Sequence, residues 1–117
     1  MIAVALPSPI PDPMIELIAA RFRLLGEPMR VKAVDALRRR GEASVGELAE
    51  EIGTSQQNIS RHLAELSAGG VLSRRKDGNR VLYSIGDEGF LQMCEHVCAS
   101  IERQNEQLGE VLASLEA

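Results

Sequence analysis

At 117 residues the chain suffices for one small domain with a modest core, short of the size at which association with a second copy becomes superfluous. Apolar residues make up 44% but aromatics only 3%, with no tryptophan, so the core must be aliphatic, which favours helices. The formal charge of −4 argues against indiscriminate nucleic-acid binding, and no apolar run approaches the roughly 20 residues that would cross a bilayer.

The opening MIAVAL has neither a basic leader nor an apolar stretch long enough for a secretion signal, which predicts a cytoplasmic location with no membrane partner. Prolines at 7, 9, 11 and 13 then restrict their predecessors to extended geometry, so residues 1–13 read as a proline-rich arm ahead of a single domain over 14–117. From Met14 to Leu25, Ile15, Ile18, Ala19, Phe22 and Leu25 recur at helical spacing up to Gly26. Pro28 suits the first turn of a second helix with an apolar face of Met29, Val31, Val34 and Leu37, ending in RRRG.

Next, Ser44 and Glu47 form a capping-box pair ahead of a short helix carrying Leu48, Ala49 and Ile52 and stopping at Gly53. Thr54 or Ser55 caps the following helix, whose buried stripe is Ile59, Leu63 and Leu66 and whose end is Gly69-Gly70. Two short helices meeting at a tight turn predict a helix-turn-helix, with the second helix offered to a DNA major groove. On that helix Gln56, Gln57 and Asn58 can pair with adenine and Arg61 with guanine, Ser55 and Ser60 offer hydroxyls, and His62 can donate to a phosphate. Taken alone, such a face is also what any solvated helix presents.

The period then changes from about 3.6 to 2. VLSRRK and RVLYSI flank DGN, a strong hairpin signal, with Val81, Tyr83 and Ile85 inward and Arg80 and Leu82 facing the other way. Arg74, Arg75, Lys76, Asn79 and Arg80 make it a basic wing suited to phosphate or minor-groove contact. From Thr54 to Leu82 five bases oppose two acids, a net +3 that leaves −7 for the rest of the chain, so the cationic charge is concentrated where DNA would lie.

Asp87 can cap one long helix over about 87–115, with Phe90, Cys94, Val97, Ile101, Leu108, Val111 and Leu115 in a stripe interrupted once at Gln104. So long a stripe predicts a homodimer joined through the N- and C-terminal helices. The architecture expected is mainly α with a small β-hairpin, and a dimer would set two reading helices about 34 Å apart on an inverted repeat.

The stretches LLGEPMRVKAVDAL and SVGELAEEIGTSQQNISRHLAELSAGGVLSRRKDGNRVLYSI, with the trailing helix, resemble the ArsR/SmtB family of winged-helix transcriptional regulators over roughly residues 14–100. The resemblance implies a dimeric winged helix-turn-helix repressor of a palindromic operator, released by a metal ion or by thiol oxidation. Two metal sites of that family are incomplete here. Ala49 and Glu51 stand where one has a Cys-x-Cys pair; for the other, on the last helix, Asp87 is followed by Gly89 and His96 by Ala99. What remains is CEHVC. Cys94 and Cys98, four apart, share a helix face while His96 points elsewhere. Three readings of the thiols stay open: a site for arsenite, cadmium, lead or another thiophilic ion, a sensor of oxidants or reactive sulfur, or small core residues. No cofactor is required. No phosphate loop, nucleophile–base pair or open metal site suggests an enzyme. A winged helix that binds only a protein partner is the other alternative.

Overall fold

The computed structural model describes residues 5–116, so Met1–Val4 of the expected arm lie outside the described residues. Among the described residues six helices surround a three-stranded antiparallel sheet of order β1-β3-β2. Helix α1 (Asp12–Leu25) starts two residues before the expected Met14, with Pro13 in its first turn, where a missing amide donor costs nothing. It buries no residue completely; Leu24 and Leu25 touch the core, whereas Met14, Ile15, Leu17 and Phe22 remain exposed. Arg21 fastens α1 to the last part of the chain, with Nη1 3.3 Å from Asp87 and its guanidinium 5.1 Å above the Phe90 ring.

Helix α2 (Pro28–Arg40) ends at Gly41, whose φ of 82° is accessible to glycine at little cost. Its buried face is Arg30, Ala33, Val34, Ala36 and Leu37. This corrects the expected stripe. Val34 and Leu37 are inside, Met29 is half-buried against the core, but Val31 is 46% exposed and a charged residue has taken the inward position.

Strand β1 (Glu42–Ser44) follows, then α3 (Val45–Ile52). Ser44 Oγ accepts from the Glu47 amide at 3.2 Å and Glu47 Oε1 accepts from the Ser44 amide at 2.9 Å, closing the predicted capping box. Gly53, left-handed at φ 80°, ends the helix. Of the two candidate caps for α4 (Gln56–Ala68), Ser55 is the one used: its hydroxyl accepts from the Asn58 amide at 3.0 Å. Leu37, Leu48, Ile59, Leu63, Leu66 and Val71 are the largest fully buried side chains, so α2, α3 and α4 close around one aliphatic centre. Burial of each such side chain is worth about 1.5–3 kcal/mol.

Strands β2 (Leu72–Asp77) and β3 (Arg80–Ile85) form the predicted hairpin, turning through Gly78-Asn79, with Gly78 at φ 65°. Val81, Tyr83 and Ile85 pack on the core as expected. Leu82 does face the opposite way, yet it is 7% exposed and therefore buried, because β3 is the central strand, flanked by Ser44 of β1 and Arg75 of β2.

The long terminal helix is two helices, α5 (Glu88–Gln104) and α6 (Glu106–Glu116), and this corrects the expected single span. Asp87 caps α5 by accepting from the Gly89 amide at 2.9 Å. The break falls at Asn105, which leaves helical geometry at φ −134°, ψ 81°, beside the Gln104 interruption of the apolar stripe. The polar run 102–107 gives a neighbour nothing apolar to grip there, and asparagine competes poorly for a helix interior. Val97, Ile101, Val111, Leu112 and Leu115 are exposed, and the side chain of Leu108 lies outside the described residues. No helix among the described residues is long and apolar enough to cross a membrane.

Candidate nucleic-acid interface

The candidate reading face is built from α4. Because Ile59, Leu63 and Leu66 anchor one side of the helix in the core, the helical period sends Ser55, Gln56, Gln57, Ser60 and Arg61 to the exposed side. Asn58 is half-buried and already engaged: Nδ2 donates to Thr54 Oγ1 at 3.0 Å and Oδ1 accepts from Arg61 Nη2 at 3.2 Å. That second bond holds the Arg61 guanidinium along the helix surface.

His62 is corrected. Expected as a phosphate donor, it is 5% exposed, and its Nδ1 accepts from Arg30 Nε at 3.1 Å on the inner side of the helix. Its position three residues after Ile59 and one before Leu63 puts it on the buried stripe.

The wing divides its cations between two faces. By register Arg74 stands opposite Tyr83 and Lys76 opposite Val81, whereas Arg75 stands opposite Leu82, on the face that Arg80 shares. Among the described residues Arg74 and Lys76 have no ion-pair partner. Arg75 forms a two-pronged pair with Glu42, Nε to Oε2 at 2.7 Å and Nη2 to Oε1 at 2.8 Å, which spans the central strand from β2 to β1. Arg80 Nη2 reaches Glu47 Oε1 at 2.8 Å. Asn79 is exposed at the tip.

These pairs continue as a ladder over the surface: Glu47 to Arg40, Arg40 to Glu51, Glu51 to Arg39, and Arg39 to Asp35. The electrostatics follow. Glu42 is held below the ordinary carboxylate range by its bond from Arg75, Glu51 by those from Arg40 and Arg39, and Asp35 by that from Arg38. Glu47 is lowered first by the Ser44 amide of the capping box and then by Arg80 and Arg40. Sequence reasoning missed Glu42 and Glu47 as partners of the wing, since only the pairing of β1 with β3 brings them there.

Cys94 and Cys98 sit on α5 away from the wing. Both line a groove of about 400 Å³ with Phe22, Leu25, Val97 and Ile101. Cys94 is half-buried and burial pushes its thiol pKa up, helped by Glu95; Cys98 is exposed, with Sγ 3.9 Å from Glu102 Oε1. His96 is exposed, and no group of three or more His, Cys, Asp or Glu able to hold a metal is gathered among the described residues.

A family model described as a helix-turn-helix domain matches residues 25–75. The HTH-type transcriptional regulator KmtR of Mycobacterium tuberculosis is 33% identical over 110 residues, 88% of this chain and 84% of that protein. The HTH-type transcriptional repressor SmtB of the same species is 32% identical over 81 residues, 69% of this chain and 59% of its own. Among solved structures, the AntR antimony-specific transcriptional repressor superposes with a TM-score of 0.71 at 26% identity, covering 89% of this chain and 99% of that one. The match to KmtR over most of both chains, the fold shared with AntR, and the helix-turn-helix with its basic hairpin agree: the chain belongs to the ArsR/SmtB family of winged helix-turn-helix DNA-binding transcriptional repressors.

Proposed function

We propose that this repressor binds an inverted-repeat operator as a homodimer, reading bases with α4 and gripping phosphates with the wing, and that chemistry at Cys94 and Cys98 releases it. The observation that carries the reading is the outward face of α4, where Gln56, Gln57, Ser60 and Arg61 are exposed while Ile59, Leu63 and Leu66 are fully buried. Amides and a guanidinium so held present paired donors and acceptors to base edges. Arg74 and Lys76 meet phosphate directly, while Glu42 and Glu47 compete with it for Arg75 and Arg80.

The second subunit covers the apolar surface of α1, α5 and α6, where Leu17, Phe22, Val97, Ile101 and Leu112 are exposed. Pairing removes that surface from water and sets the two α4 helices on one face of the duplex.

For the inducer, a thiophilic ion of the arsenite, cadmium or lead kind fits the thiol donors. Cys94 and Cys98 of one chain supply two, so a complete site draws on the partner's pair. AntR, an antimony-specific repressor of the same fold, supports a soft metalloid. The exposure of Cys98 favours a second reading, release by oxidation or reactive sulfur.

Titration of a duplex carrying the inverted repeat from the protein's own promoter region, against a scrambled duplex, tests the DNA reading; equal affinity for both refutes it. Repeating the titration with arsenite, cadmium or a persulfide donor on the wild type and on Cys94→Ser/Cys98→Ser tests the inducer. An identical response in the two proteins rules out thiol sensing.

A further inference from the structure

Arg30 is the one buried cation of α2, at 8% exposure, and its guanidinium is used on every side. Nη1 donates to the Leu24 carbonyl of α1 at 3.1 Å. Nε lies 3.0 Å from Glu27 Oε2 and 3.1 Å from His62 Nδ1. Nη2 is paired with Glu65. One side chain therefore joins the carboxyl end of α1, the cap of α2 and two positions on successive turns of α4. The same joint is closed from the other direction: a Leu24 methyl occupies the space that a Cβ at Gly69, the C-cap of α4, would need.

We infer that Arg30 is the positioning residue of the reading helix, fixing the angle of α4 against α1, so that discrimination between base sequences depends on a side chain that touches no DNA. This rests on the operator reading above. The guanidinium is planar and rigid, and its donors point in fixed directions, so three elements bonded to it cannot rotate independently. Base readout tolerates little rotation, because a bidentate contact needs both of its hydrogen bonds aligned. Phosphate contact by the flexible cations of the wing tolerates far more. The joint also explains why His62 and Glu65 sit on the reading helix while making no use of its outward face.

Arg30→Lys tests this directly, since lysine keeps the charge but is a point donor that cannot hold Leu24, His62 and Glu65 at once. Glu65→Gln, altered at a half-exposed partner, is the companion variant that leaves the core intact. Kd for the inverted-repeat duplex and for a random duplex is measured at one salt concentration, alongside thermal midpoint and dimer mass. The operator-to-random ratio falls about tenfold in Arg30→Lys, the equivalent of one misaligned base contact. It also falls in Glu65→Gln, and adding Glu65→Gln to Arg30→Lys lowers it little further, because the lysine has already released that partner. Retention of the wild-type ratio by both folded variants overturns the inference, as does a loss that only follows the fraction unfolded. A wild type with no preference between the duplexes refutes the operator reading itself; a discriminating wild type matched by its variants refutes only the role of Arg30.

Discussion

Neutralising Glu42 should strengthen DNA binding and steepen its dependence on salt. Among the described residues Arg74 and Lys76 have no acidic partner, while Arg75 is held by both prongs of Glu42. With those two cations on each of two subunits neutralising phosphate, the slope of log K against log salt is about −3.6 at roughly −0.9 per contact. Glu42→Gln keeps the shape of the side chain and removes its charge, releasing one further cation per subunit and taking the slope to about −5.4. Between 50 and 200 mM salt the wild type then loses about 150-fold in affinity and the variant about 2,000-fold, the variant binding more tightly at the low end. Fluorescence anisotropy of a labelled inverted repeat across that range measures both. An unchanged slope in a folded Glu42→Gln dimer refutes the claim that Glu42 competes with the phosphate backbone for Arg75.

Gln57→Ala and Arg61→Ala, both exposed on α4, each cost about 1–3 kcal/mol on the inverted repeat and far less on random DNA, measured as a ratio of Kd values. Gly86→Ala places a Cβ 2.7 Å from Ser73 Oγ and 3.1 Å from the Leu72–Ser73 backbone, so it destabilises by about 1–3 kcal/mol in thermal unfolding. Iodoacetamide should label exposed Cys98 before Cys94, whose raised pKa keeps it as the unreactive thiol at neutral pH; mass spectrometry of timed samples gives the order, and equal rates contradict it. Asp35, Glu42, Glu47 and Glu51 all have lowered values in the folded protein, so their contribution is complete above the ordinary carboxylate pKa near about 4 and is lost as pH falls through the lower folded values. The thermal midpoint should hold from pH 7 to 5 and drop below about 4, and a Glu47→Gln/Glu51→Gln variant should drop less.

Much of the fold is written in local chemistry. The Ser44–Glu47 box, Gly53, the Ser55 cap and Asp77-Gly78 each act within four residues, and all four stand where the sequence places them. β1 escaped notice because three residues show no period and its partner β3 lies some forty positions away. Arg30 and Val31 exchanged roles for a related reason: a charged side chain reads as surface until its partners, Glu65 and His62, are brought from over thirty residues downstream. His62 was misplaced by the same joint. The exposed amides and Arg61 were legible because a helix that buries Ile59, Leu63 and Leu66 has only one way to turn its other residues. The division of the terminal helix was half visible, in the interruption at Gln104, but a gap in an apolar stripe does not by itself say that the backbone turns.

Ser44 holds two offices. Its backbone faces Leu82 across the sheet while its hydroxyl starts α3, with no residue between. Hairpin and helix pair are in consequence welded, and the distance from wing tip to reading surface is a fixed gauge. On the operator reading proposed above, a base pair inserted within a half-site finds no joint in the subunit to absorb it, and only the seam between two copies is left to adapt the protein to operators of different spacing.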